Sequence, residues 1–221
     1  MTLEKTGGLA ALICAGTYLF GFAFLIKWLV PLGFGTPTID AAAVVQFTAQ
    51  QPGLMVLFNS VIYILNGFAL AVLVVALHTS LRVQAPAWAA VTQGIGFIWV
   101  GLVLGAGMIA NVAVEEVSGL AAADPVGAAE LWRILRAVEL GLGGGNEIVG
   151  GVWILCVSGV AYKSGNFGLL TAGLGSITGL GGALTLIPSI GETAGVVFGL
   201  GGILWFVAVG VRLFRTARRP V

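Results

Sequence analysis

Glu147 is the residue whose type and place could most readily do chemistry. It closes the run Gly141-Leu142-Gly143-Gly144-Gly145-Asn146-Glu147 and opens an apolar stretch that reaches Tyr162. Counting ~1.5 Å of rise per residue from Tyr162 puts its carboxylate a turn or more below the outer edge of a bilayer's hydrocarbon. A carboxylate at that depth must be protonated, paired or wetted. Two readings follow: a structural ion pair or interface anchor, or a functional acid.

Lys27 falls near the same outer level and is the obvious partner for Glu147, but the commoner arrangement, and the one expected, is that its four-carbon stem carries the ammonium to the headgroups beside Trp28. Asn59, Tyr63 and Asn66 recur at i, i+4 and i+7, which sets three hydrogen-bonding side chains on one helix face. They must face protein or water. They either tie helices together, at about 0.6 kcal/mol each, or form the wall of an outward-opening polar cavity shared with Lys27, Asn146 and Glu147. These six residues are the candidate ligand-binding set.

Other chemistries lack their parts. The glycine run has no preceding strand and no following Gly-Lys-Ser/Thr, so it is not a phosphate-binding loop; it serves instead to bend the chain into the next helix. Nucleophilic catalysis needs a nucleophile beside an oriented base, and the single histidine, His78, falls at the end of an apolar run. Lys163 lies in a loop, where no retinal-type Schiff base forms. Cys14 and Cys156 sit inside apolar runs and read as small buried hydrophobes. No cofactor or metal motif is present. With a net charge of +1 and dispersed basic residues, there is no nucleic-acid footprint.

The elements that must position these residues are membrane helices. Of 221 residues, 58% are hydrophobic and 9% charged, against about a quarter charged in soluble domains. The mean hydropathy is +1.06. The apolar runs predict one all-α domain over residues 1–221, a bundle of about six transmembrane helices near Gly7 to Val30, Leu54 to His78, Ala87 to Val112, Gly144 to Tyr162, Phe167 to Ile187 and Thr193 to Phe214. Pro31, Pro52, Pro86 and Pro188 stand at or beside the ends of these runs, where a missing N–H is tolerated. The first run is too long for a signal-peptide core and reads as a retained helix.

Lys5, Arg82, Lys163, Arg212, Arg215, Arg218 and Arg219 all land on one side, which the positive-inside rule makes the cytoplasm; both termini are expected there. Asp40, Glu115, Glu116, Asp124, Glu130, Glu139 and Glu192 fall on the other side. Asp124 and Pro125 then open an amphipathic helix before the fourth span, lying on the outer face of the bilayer or across the mouth of the bundle. Leu131, Trp132, Ile134, Leu135 and Val138 make its apolar side, and Glu130, Arg133, Arg136 and Glu139 its polar one. Thr38 to Gln51 is a shorter, weaker example. Gly101/Gly105, Gly175/Gly179 and Gly195/Gly199 at i, i+4 predict close helix packing.

The opening Gly-Thr-Tyr-Leu-Phe-Gly-Phe at residues 16 to 22 and the stretch from Gly150 to Pro188 resemble a bacterial membrane family, domain of unknown function 4386. The shared marks are Gly151, the turn Tyr162-Lys163-Ser164-Gly165, Gly173/Gly175/Gly179 and Pro188. Asn166-Phe167-Gly168 stands where that family has a Leu-Pro pair. The resemblance implies a multi-span protein of the bacterial cytoplasmic membrane and assigns no activity, cofactor or functional residue.

The expected function is that of a structural or accessory subunit in a membrane complex, or of a bundle binding a lipid or another apolar ligand. The alternative is a small-solute transporter with an outward-facing polar site, although no inverted repeat relates the two halves. An intramembrane enzyme ranks third, because no second deep carboxylate is apparent beside Glu147 unless Glu139 or Glu115 comes within reach. The expected partners are membrane lipids, with other membrane subunits or a second copy meeting the glycine-rich faces.

Overall fold

Hydrocarbon offers a backbone no hydrogen bonds, so a spanning segment must satisfy its own N–H and C=O groups. A computed structural model of the chain describes residues 2–36, 38–144 and 147–216, and among them the only regular structure is helical. The elements are α1 (Leu3–Phe24), α2 (Ala41–Gln50), α3 (Pro52–Asn59), α4 (Asn66–Leu81), α5 (Pro86–Leu120), α6 (Pro125–Glu139), α7 (Ile148–Lys163), α8 (Leu169–Leu184) and α9 (Gly191–Thr216). Five helical runs are long and apolar enough to cross a membrane: Leu3–Leu32, Pro52–Leu81, Pro86–Leu120, Pro125–Lys163 and Gly191–Thr216. The expected fifth span, α8, is apolar but only 16 residues long.

Helices α1, α4, α5, α7, α8 and α9 pack in that order, each on the next, and α9 closes on α1. The axis of this ring is filled with aromatic rings. Trp153 lies 5.5 Å from Trp99 and 5.7 Å from Trp205, centroid to centroid. The Trp205 Nε1–H donates to Ser158 Oγ at 3.1 Å, satisfying the polar edge of a fully buried indole.

The ring is tightest between α7 and α8. A Cβ on Gly151 would lie 2.5 Å from the Ala183 nitrogen and 2.6 Å from the Gly179 oxygen, so backbone touches backbone. Gly175/Gly179 therefore packs as its spacing predicts, and Gly199 seats the Phe22 ring. Gly101 faces open space, however, and Gly105 and Gly195 have ordinary clearance of 3.8 and 3.9 Å. Their spacing marks a common face, but the neighbour stands elsewhere.

Gly7 packs on Ala76 and Leu213, and Gly8 on the Gly210 backbone. The start of α1 and the ends of α4 and α9, with Lys5, Arg82, Arg212 and Arg215, thus share one end of the bundle. Arg218 and Arg219 lie outside the described residues.

At the other end stands a cap. Helix α5 has 35 residues and runs about 52 Å, well beyond a hydrocarbon core of about 30 Å. Its last turns pack with α2 and α6 in a satellite core of Ala41, Val45, Val117, Ala128 and Ala129. The Asp40 carboxylate accepts from the Ala42 and Ala43 amides, and Asp124 accepts from Gly127 at 2.9 Å with Pro125 in the first turn. The Asp124 cap falls where the sequence puts it; the weaker helix expected from Thr38 begins instead at Ala41, behind the Asp40 cap. The facing of α6 is different from that predicted. Ile134 and Val138 are 62% and 45% exposed, whereas Ala128, Ala129 and Glu139 are buried. Small alanines let α6 approach α5, and the charges of Arg136 and Glu139 are paired inside, so the polar side need not face water.

Candidate functional site

Three of the helical paths are interrupted by a π turn, at Leu25–Leu29, Ser60–Leu65 and Leu140–Gly144. Such a turn carries an extra residue, widens the helix and is found mostly where function requires it. All three open on one cavity of about 260 Å³ beneath the cap: Leu25 and Leu29 come from the first, Ile62 and Tyr63 from the second, Gly143 and Gly144 from the third. In the third the chain kinks at Gly143, whose φ of 125° is open to glycine. The glycine run bends the chain as its composition predicts.

The rest of the wall is largely aromatic, with Tyr18 and Phe22 from α1, Phe58 from α3 and Phe34 from the loop after the first long helix. Two polar groups tie it together. The Asn66 Nδ2 donates to Thr17 Oγ1 at 2.6 Å, and Thr17 Oγ1 donates onward to the Cys14 carbonyl at 2.8 Å, joining α4 to α1. On the cap side, the Tyr63 hydroxyl and Arg136 Nη1 both donate to Glu139 Oε1, at 2.6 and 2.8 Å. The Arg136 guanidinium also lies 5.4 Å from the Phe34 ring centre. A Cβ on Gly144 would come within 2.9 Å of the Tyr63 oxygen and 3.0 Å of Glu139 Oε1, so the α6–α7 junction can lie here only as glycine.

Glu147 sits at the head of α7, where its backbone N–H donates to Thr185 Oγ1 at 3.1 Å and so fixes α7 to the end of α8. It is one of the residues that line the cavity. Among the described residues it takes part in no ion pair, since the one salt bridge there is Arg136–Glu139.

Of the candidate set, Tyr63, Asn66 and Glu147 therefore share one cavity. Asn59 is buried but faces a second, smaller space of about 50 Å³, bordered also by Thr48 and Glu139. The π turn between Asn59 and Tyr63 adds a residue, so their i, i+4 spacing no longer means a shared face. Lys27 is exposed, with its ammonium 4.3 Å from the Trp28 ring centre, and does not reach Glu147's cavity. Asn146 lies outside the described residues.

Arg136 and Glu139 border the site and were not in the predicted set. The i, i+3 pair at the edge of the glycine run was the available signal, but a polar stripe ordinarily faces water. Glu139 bonds to Tyr63 and Arg136 rather than to Glu147, so no carboxylate dyad forms between them. No protein-family model matches this chain, and no match is found among curated proteins or among solved structures.

The arrangement suits binding. A cavity of about 150 Å³ in a protein core takes up benzene, so about 260 Å³ admits a ligand of one or two rings or a short chain.

Proposed function

We propose that this chain is an integral membrane protein that binds a small, largely apolar ligand beneath its cap. The convergence of three π turns from separate helices on one aromatic-walled cavity carries this reading, because each widened turn gives up regular helix geometry and all three do so at the same place. In this reading α8 completes a six-span bundle, the basic end faces the cytoplasm and the cap faces outward in a bacterial inner membrane. Lipids surround the bundle, and its resemblance to domain of unknown function 4386 is one of topology.

The test is native mass spectrometry of the full chain extracted gently from its own membrane. The wild type should carry a small molecule that Ile62→Trp, which fills the cavity, releases while folding normally. A wild type that carries nothing and takes up no small aromatic compound, or a ligand retained equally by the filled variant, would sink the proposal. Recovery of a stoichiometric partner subunit with the cavity empty would favour an accessory role instead.

Transport is the second reading. It is favoured by the seam of the cap, where α6 joins α7 through Gly141, Gly143 and Gly144 and is held by one hydrogen-bonded carboxylate. It requires substrate-dependent flux in proteoliposomes.

A further inference from the structure

We infer that the ligand is a small organic cation, a protonated amine on an aromatic or aliphatic body; this rests on the cavity being a binding site. The argument is one of pairing in a confined space. The acidic and basic residues that line the cavity are Glu147 and Arg136, with Glu139 bonded to Arg136. Arg136 and Glu139 pair with each other at 2.8 Å, which leaves Glu147 as the acid lining the cavity that takes part in no ion pair among the described residues.

A neutral apolar ligand would leave the Glu147 acid without a polar partner. An anion would add a second negative charge beside Glu147, and it could engage Arg136 only by competing with Glu139. An amine supplies the partner that Glu147 lacks, the acid and the base sharing one proton as an ion pair. The walls favour the same choice, because Tyr18, Phe22, Phe58 and Tyr63 line the cavity and aromatic rings attract a cation through their quadrupoles while packing against its apolar body. Lys27, the candidate partner within the chain, is held over Trp28, where its snorkelling reading puts it.

Three probes of nearly the same shape test this against the full chain in nanodiscs: 2-phenylethylamine, 2-phenylethanol and phenylacetate, with uptake by empty nanodiscs subtracted. The amine should bind at least tenfold more tightly than the alcohol, and phenylacetate most weakly. Glu147→Gln should abolish the amine's advantage and leave the alcohol's affinity in place. Equal binding of amine and alcohol, preference for phenylacetate, or an amine advantage that survives Glu147→Gln would overturn the inference while leaving an apolar binding cavity intact. If none of the three binds the wild type, both readings fall. Should Glu147→Gln misfold, the wild-type ranking, with Ile62→Trp as the control that localises binding to the cavity, still decides.

Discussion

The Tyr63 hydroxyl donates to the Glu139 carboxylate at 2.6 Å, joining residues 76 positions apart. This bond and the ion pair to Arg136 tie the cap to the second long helix, with Arg136 lining both cavities.

Removing Glu139 leaves a largely buried guanidinium and a buried hydroxyl without their acceptor. Breaking a buried pair from one side typically costs about 3 kcal/mol or more, whereas a single neutral hydrogen bond contributes about 1 kcal/mol. Glu139→Ala should therefore lower stability in a denaturant titration much more than Tyr63→Phe. The double variant Arg136→Met/Glu139→Leu should recover part of the loss. If Glu139→Ala proves no worse than Tyr63→Phe, the carboxylate is not holding the cap.

Gly144 admits no side chain beside Tyr63 and Glu139. Gly144→Val is expected to lift α6 and raise amide hydrogen exchange over residues 125–139 at least tenfold, with α7 and α8 unchanged. Uniformly raised exchange would mean that the substitution unfolds the bundle instead.

At the α7–α8 contact, Gly151→Val should abolish folded yield, because the branches would enter the α8 backbone. Gly101→Ala meets nothing within 4 Å and removes a poor helix former, so it should be neutral or stabilising by up to about 1 kcal/mol. Size-exclusion profiles and melting temperatures of the two proteins decide this.

Orientation is open to chemical labelling. With Cys14 and Cys156 replaced by alanine, a membrane-impermeant thiol reagent should modify Glu130→Cys in intact cells and Arg82→Cys only after permeabilisation. The reverse pattern would invert the topology proposed for the chain.

Much of the fold was legible because the bilayer permits so few solutions. Long apolar runs gave the long helices, and Asp124 with Pro125 gave the start of α6. The burial of Tyr63 and Asn66 followed from hydrogen-bonding groups that lipid cannot satisfy. The site was only partly legible. A π turn has no composition of its own, so the constant-period helix that put Asn59 beside Tyr63 could not register the extra residue between them. Arg136 and Glu139 were read outward because charge alone predicts solvent, while their actual surroundings depend on a partner on another helix. Gly101 and Gly105 show the same limit, since spacing along a helix states which residues share a side and is silent on what stands opposite.

Helix α8 spans about 24 Å and α5 about 52 Å, on different sides of one ring. With α8 as the proposed sixth span, the bundle presents a side shorter than a hydrocarbon core of about 30 Å beside helices that exceed it. Leu169 and Leu170, 73% and 85% exposed, begin the short side. On that proposal the bilayer would thin at the α8 side, at a fraction of a kcal/mol for each ångström of mismatch, and keep its full thickness beside α5. Short-chain lipids should collect at the α8 face, and a second copy that brings two such faces together would remove the deformation from both.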